Sequence, residues 1–339
     1  MQVIPHINIV KNVLWSNDGT YFVTLTRIRK VRKKGLYDFL VIVWDYEAKE
    51  IGRFVLNNID KVDLKFDPSG NITVVVPHEA EEKKGTTRII LLDKQCIVKK
   101  ENTLRGVALS SAWSNKGELL SLNVNGKVVL LNENLELSSE YKSGEVTFFK
   151  WFPDDDLLSG IREKKVAVWD YKKPKTLFDL KVKGDVKAMD ISFDGRYIAA
   201  IGNKGGEVKI WELQFEGNKI KPVEIFKDKV EHGISVKWNP RNLQVAYCGD
   251  SLIVYDVETQ SKSDFGKYCG EIKWSPDGEF LAVAKDNKIF VQNLIERDRK
   301  KELFHGGKIL DFTWSPTSKQ LLVGSRDYAA RLWERGDDF

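Results

Sequence analysis

No stretch of the sequence approaches the ~18 consecutive apolar residues that a membrane-spanning helix needs. The first ten residues include Pro5, His6 and Asn8, too polar for the apolar segment of a secretory leader. Cysteine is scarce. Cys96, Cys248 and Cys269 form an odd set without CxxC spacing, so neither a disulfide framework nor a zinc site is expected, and Cys248 and Cys269 read as small apolar strand residues. Histidine is confined to His6, His78, His232 and His305, which are scattered, and His232 reads as a turn cap. The GxSxG, HExxH, P-loop and dinucleotide-binding patterns are all missing. These absences lead to an expectation of a soluble, cytoplasmic or nuclear, non-enzymatic chain with no metal and no cofactor.

Charge of one sign is scarce outside a single window. The formal net charge is +5, and six cations lie within RIRKVRKK (Arg27, Arg29, Lys30, Arg32, Lys33 and Lys34), so the balance elsewhere is −1. Basicity is thus one local projection. It suits contact with an acidic partner or with phosphates, each neutralised phosphate adding a salt-dependent increment, and it equally suits a solubilising hairpin tip. Aromatic residues are absent inside the run, which argues against base stacking. The alternation of Arg27, Ile28, Arg29, Lys30, Val31 and Arg32 permits a long β-ribbon, with Leu36, Tyr37 and Phe39 opposite. The acidic trio Asp154, Asp155 and Asp156 occupies a turn position and reads as solvated, and Asn71-Ile72-Thr73 reads as the start of a strand.

What the chain does have is apolar and aromatic content, 42% and 11%, with ten Trp. Phe304 to Trp333 carries three short alternating runs separated by Gly306–Gly307, Ser315–Pro316 and Arg326–Asp327, the pattern of half-buried antiparallel strands. The same pattern recurs upstream. Trp15, Phe66, Trp113, Trp151, Ile191, Trp238, Trp274 and Trp314 are equivalent anchors 36 to 51 residues apart. Each precedes a turn such as NDG, DPSG or PDG, where Pro pre-sets the first turn dihedral and Gly accepts positive φ. A third strand in each unit ends at Trp44, Leu92, Leu131, Trp169, Trp211, Tyr255, Gln292 or Trp333.

His305, the Trp314-Ser315-Pro316 triplet, the Ser325-x-Asp327 pair and Arg331-Leu332-Trp333 resemble one WD repeat of a β-propeller, although a Gly-His pair is replaced by Phe304-His305-Gly306. The resemblance implies that His305, Ser325, Asp327 and Trp333 form a buried hydrogen-bonded set. The expected architecture is all-β: residues 1–339 as a single β-propeller of WD-repeat type, with eight four-stranded blades. Because too few residues follow Trp333 for a fourth strand, Met1–Pro5 is expected to supply the outer strand of the last blade and close the ring; a loose arm beside an incomplete blade is the alternative. His6 supports closure, standing nine residues before Trp15 as His305 stands nine before Trp314.

Two units are stretched between their second and third strands, at Arg27–Asp38 and His78–Thr87, so two charged loops are expected side by side on one face. A third extension, Gln214–Pro222, is expected on the opposite face. Such loops on a rigid scaffold are where binding concentrates. The resemblance therefore implies an interaction platform for other proteins in a larger assembly, with no membrane association. The first unit, WSNDGTYFVTLTRIRKVRKKGLYDFLVIVWD, is also similar to repeats in the propellers of eukaryotic initiation factor 2A and of the b subunit of initiation factor 3, which implies RNA or ribosome association through the basic loop as the alternative. A peptidase-linked or TolB-like propeller is disfavoured, since no residues are left over for an α/β catalytic domain.

Overall fold

The computed structural model describes residues 1–30, 35–78, 85–217, 219–336 and 338–339. Strands account for its regular structure, and no helix occurs among the described residues. They form eight antiparallel four-stranded sheets. Blade 1 contains β2 (Val10–Trp15), β3 (Tyr21–Lys30), β4 (Tyr37–Asp45) and β5 (Glu50–Ile59). Blade 2 contains β6 (Asp63–Phe66), β7 (Ile72–His78), β8 (Thr86–Leu92) and β9 (Val98–Arg105). Blades 3 to 7 repeat the up-and-down order over residues 108–142, 146–181, 186–230, 235–264 and 271–304. Blade 8 has β30 (Ile309–Trp314), β31 (Gln320–Ser325) and β32 (Ala329–Glu334), and its outer strand is β1 (Gln2–Pro5), paired to β32 from Gln2–Leu332 to Pro5–Ala329. The N-terminal strand therefore closes the ring, and Ile4 is buried in the process.

All eight anchors end the innermost strand of their blade. The residue after the anchor explains why the tryptophan-serine pair recurs. Ser16, Ser114, Ser192, Ser275 and Ser315 each accept through Oγ the backbone N–H five residues on, from Tyr21, Leu119, Tyr197, Phe280 and Gln320, which fastens the hairpin at its base. Turn chemistry completes the hairpin. Gly278 has φ +77°, and a Cβ there would lie 2.4 Å from Asn239 Oδ1 of the preceding blade, so only glycine fits.

Each blade buries both faces against its neighbours, giving eight apolar clusters, one per interface. Phe39, Leu64 and Ile72 belong to the interface of blades 1 and 2. Val10, Phe22 and Leu332 belong to the interface of blades 8 and 1. Anchor indoles also latch neighbours: Trp151, Trp274 and Trp314 donate Nε1–H to the carbonyls of Ala112, Lys237 and Lys273 one blade back, at 3.2, 2.9 and 3.1 Å.

Three expectations change. Cys248 and Cys269 are not two separate apolar strand residues. Cys248 ends a strand of blade 6, Cys269 lies in the link to blade 7, and they form a disulfide with Cα atoms 5.3 Å apart across a separation of 21 residues. Sequence spacing sees chain neighbours, whereas this pair meets only once blade 6 folds back on its exit. Asp155 is not solvated: it is buried and accepts the N–H of Asn115 at 2.7 Å and of Lys116 at 2.7 Å from blade 3. The residues of the third extension are not a loop but a ribbon, in which β20 (Gly206–Glu216) and β21 (Lys219–Val230) pair as far as Glu216–Lys219; Asn218 lies outside the described residues.

Candidate partner-binding face

Antiparallel connectivity puts the link into each innermost strand and the connection between second and third strands on one face of the ring. The second and third strands of blades 1 and 2, whose connections are the stretched ones, meet at that face. In blade 1 the ladder continues past Arg27–Phe39 to Arg29–Asp38 and Lys30–Tyr37, so β3 and β4 form a ribbon. Of the six basic residues singled out in the sequence, Arg32, Lys33 and Lys34 lie outside the described residues, as do residues 79–84 of the blade 2 loop. The Arg27 guanidinium lies 4.5 Å from the centre of the Tyr37 ring, a cation–π contact.

The innermost strands differ in length: β6, like those of blades 6 and 7, has four residues, where β2 and the matching strand of blade 3, β10 (Ala108–Trp113), have six. A cavity of about 660 Å³ runs along the inner strands of blades 2 and 3, its lining extending from Lys61, Val62, Pro77 and Leu109 to Trp15, Asn17, Phe66 and Trp113 and including Val75 and Phe148. Leu109 is 37% exposed. Apolar walls with a few charged groups at the rim are the usual make-up of a ligand site.

The inner wall also carries charge, mostly committed. Lys65 pairs with Asp63 at 2.9 Å, Lys150 with buried Asp190, and Lys273 with Asp311 at 2.8 Å. Asp190 and Asp311 also accept the backbone N–H of Trp238 and Val13, tying adjacent blades together. Burial opposes the ionised form of Asp190, but Lys150 and Lys237 hold its carboxyl below the usual range. Burial pushes the Lys237 ammonium down against the pull of Asp190, and it lies 5.9 Å from the Phe148 ring.

His305, Ser325, Asp327 and Trp333 lie together in blade 8, joined through Arg331. Trp333 donates Nε1–H to His305 Nε2 at 3.3 Å, and Ser325 donates Oγ–H to Asp327. Arg331 pairs with Asp327 at 2.6 Å and reaches His305 Nδ1 at 3.3 Å. Asp327 also accepts the Gly306 N–H at 2.9 Å. Burial pushes the His305 imidazole pKa down to about 4, with Arg331 adding to the shift. The members of this set are turned on one another, His305 accepting from Trp333 and Asp327 from Ser325, Arg331 and Gly306. His232 caps no turn in the hydrogen bonds of the described residues; it is exposed, 3.7 Å from Asp250. No group of three or more potential metal ligands occurs among the described residues, and no helix among them is long and apolar enough to cross a membrane.

Sequence reasoning missed Lys11, Lys61 and the cavity.

A closed ring of eight such blades, stitched by serine-capped hairpins and indole latches, is a β-propeller of the WD-repeat type. Residues 299–334 match the family model described as WD domain, G-beta repeat. The chain is 26% identical over 251 residues to WD repeat-containing protein 1 of Bos taurus, an alignment covering 68% of this chain and 41% of that one, so it spans well under half the length of the curated relatives it matches. Among solved structures it resembles the C-terminal WD40 domain of Sif2, with a TM-score of 0.72, 16% identity, and coverage of 98% of this chain and 97% of that chain. It likewise resembles Chaetomium thermophilum Sqt1 bound to the N-terminus of the ribosomal protein L10, with a TM-score of 0.68, 15% identity and coverage of 97% of each. At such identities the structural likeness speaks to fold alone.

Proposed function

We propose that the chain is a non-catalytic protein-interaction platform, a cytoplasmic member of a multiprotein assembly, which holds its partner on the face above blades 1 to 3. The carrying observation is a cavity of about 660 Å³ whose lining includes Lys61, Pro77 and Leu109, at the face where the blade 1 ladder continues past Arg27–Phe39 as a ribbon. A raised ribbon beside a largely apolar recess on a rigid ring suits recognition of a protein segment. A propeller of the same fold, Sqt1, has been solved with the N-terminus of a ribosomal protein, which supports the reading by likeness of fold.

The test is amine-reactive crosslinking of the tagged full chain in its native cells, followed by mass spectrometry with and without RNase. The expected result is crosslinks from Lys11, Lys61 or Lys65 to one protein partner that survive RNase. Crosslinks found only from Lys94 and Lys172, on the opposite face, would overturn the placement. Elution of the chain alone without crosslinks would overturn the platform itself, and loss of every crosslink on RNase treatment would favour the RNA-associated alternative.

A further inference from the structure

Beside the cavity, positive charge gathers that meets no carboxylate of the described residues within salt-bridge distance. Lys11 on β2 holds its ammonium 5.3 Å from the centre of the Phe39 ring, and Arg27 on β3 lies over Tyr37. The two rings meet edge to face with centroids 6.3 Å apart, so both cations stand on one aromatic pair. Tyr37 and Phe39 pack with Ile59 and Val62 in the core shared by blades 1 and 2. Lys61 follows Ile59 by two residues and, with Val62, lines the cavity. Three cations thus surround the top of one interface. Burial first, then Arg27 and Lys61, push the Lys11 ammonium below its ordinary range, as expected of like charges held close.

Three lysines of the inner strands each have an acid: Lys65 has Asp63, Lys150 has Asp190 and Lys273 has Asp311. Among the described residues no carboxylate comes within salt-bridge distance of Lys11, Arg27 or Lys61. Asp60 accepts only the backbone N–H of Lys61, and the Asp63 carboxylate is divided between Lys65 and the Ser111 hydroxyl. Near the cations the wall turns apolar, with Val62, Leu109 and Phe148. Like charge gathered around an apolar recess costs stability and is relieved when an anion arrives.

We propose that this cavity takes an acidic peptide segment bearing one bulky apolar residue. The apolar side chain enters the cavity against Val62, Leu109 and Phe148, and flanking carboxylates meet Lys11, Arg27 and Lys61. The proposal rests on the platform reading above and names the chemistry of its partner. Charge complementarity selects the acid, and the apolar wall selects a peptide over RNA. A phosphodiester chain would satisfy the cations but brings no aliphatic or benzylic group to the recess, and the Tyr37 face that could stack a base is already covered by Arg27.

The experiment is fluorescence anisotropy on the full chain with a labelled Asp/Glu peptide carrying one central Phe. Three controls accompany it: the same peptide with Ser for Phe, its Lys/Arg counterpart, and oligouridine. The Phe peptide is expected to bind about tenfold or more tighter than the Ser peptide, and Leu109→Asp to abolish that gain, since a buried charge without a partner is disfavoured. Combining Lys11→Ser, Arg27→Ser and Lys61→Ser is expected to weaken binding about tenfold or more and to flatten its salt dependence. Thermal unfolding of each variant checks the fold, with Lys94→Ser as a bystander. Equal binding by the parent and triple variant, or indifference to the Phe, overturns the proposal. Binding of oligouridine in place of the peptide assigns the surface to RNA. If the peptide fails while protein crosslinks persist, the acidic-segment inference falls and the platform stands; if both fail, both fall.

Discussion

Blades 8 and 2 are built on one plan and use it for opposite ends. In blade 8 the polar side chains close on one another, Trp333 to His305 and Arg331 to Asp327, and Phe312 is fully buried between six-residue strands. In blade 2 the anchor is Phe66, only half-buried, the third strand ends in Leu92, and the innermost strand has four residues. A neighbour makes up part of the loss, since Trp113 of blade 3 donates Nε1–H to Thr73 at 2.8 Å. Where the repeat decays in blade 2, the ring keeps its shape through a neighbouring blade, beside the cavity.

The contrast is broken most directly by matched truncations. Phe312→Ala removes a fully buried ring from the interface of blades 7 and 8 and is expected to cost about 3–5 kcal/mol. Phe66→Ala is expected to cost about half of that or less, because its ring is already in part exposed. Urea unfolding of both variants checks the pair. Equal losses would mean that blade 2 is as tightly held as blade 8 and that its opening is an ordinary variation in packing.

A second test sharpens the contrast through pH. His6 and His305 occupy equivalent places, nine residues before their anchors, and their rings lie 5.5 Å from Trp44 and 5.7 Å from Trp333. Burial is the leading cause that lowers each imidazole pKa to about 4, from 6.5 in the unfolded chain. Between these values the unfolded chain holds a proton that the folded one excludes, so stability rises with pH across the window. The contribution is complete above about 6.5 and is lost as pH falls toward 4, on the order of 3 kcal/mol for each residue. Thermal midpoints at pH 7.5 and 4.5 are expected to differ, and His305→Gln to reduce the difference while lowering the midpoint at neutral pH. A variant with the parent's full pH difference would show that His305 titrates as it does in the unfolded chain.

Much of this architecture is legible in the sequence because blade packing repeats its demands. Each hairpin needs a bulky anchor, a hydroxyl to fasten its base and a turn that accepts positive φ, so all eight inner strands end at the residues singled out. Even Ile191 and Phe66, which are not tryptophan, are located by their phase. Closure by β1 is legible because the length after Trp333 leaves an edge unpaired. The candidate site is far less legible. The basic window announces itself by composition, but Lys11 and Lys61 are ordinary lysines in the chain, and only the fold sets them beside Arg27 without an acid. The Cys248–Cys269 pair is hidden for the same reason, and so is Asp155, whose acceptor role depends on a turn from another blade. Contacts that every blade repeats leave a periodic trace, whereas contacts made at one place in the ring leave none.

The smallest expected effect bears most closely on function. Leu109 lies at the cavity wall, 37% exposed, while Leu332 in blade 8 is 1% exposed between Ile4 and Val10 in the closing interface. Leu109→Ser is expected to change stability by less than about 0.5 kcal/mol. Leu332→Ser removes a similar side chain from a sealed core and is expected to cost about 3 kcal/mol or more, because a cavity and a buried hydroxyl are left behind. Denaturant midpoints on the two variants decide the point. If Leu109→Ser were as costly as Leu332→Ser, the recess would be part of the core, its apolar wall would be explained by folding alone, and a partner would not be needed to account for it. A near-neutral Leu109→Ser leaves an apolar wall that folding does not require, near three cations with no carboxylate partner among the described residues, which is the arrangement that recognition of an acidic segment calls for.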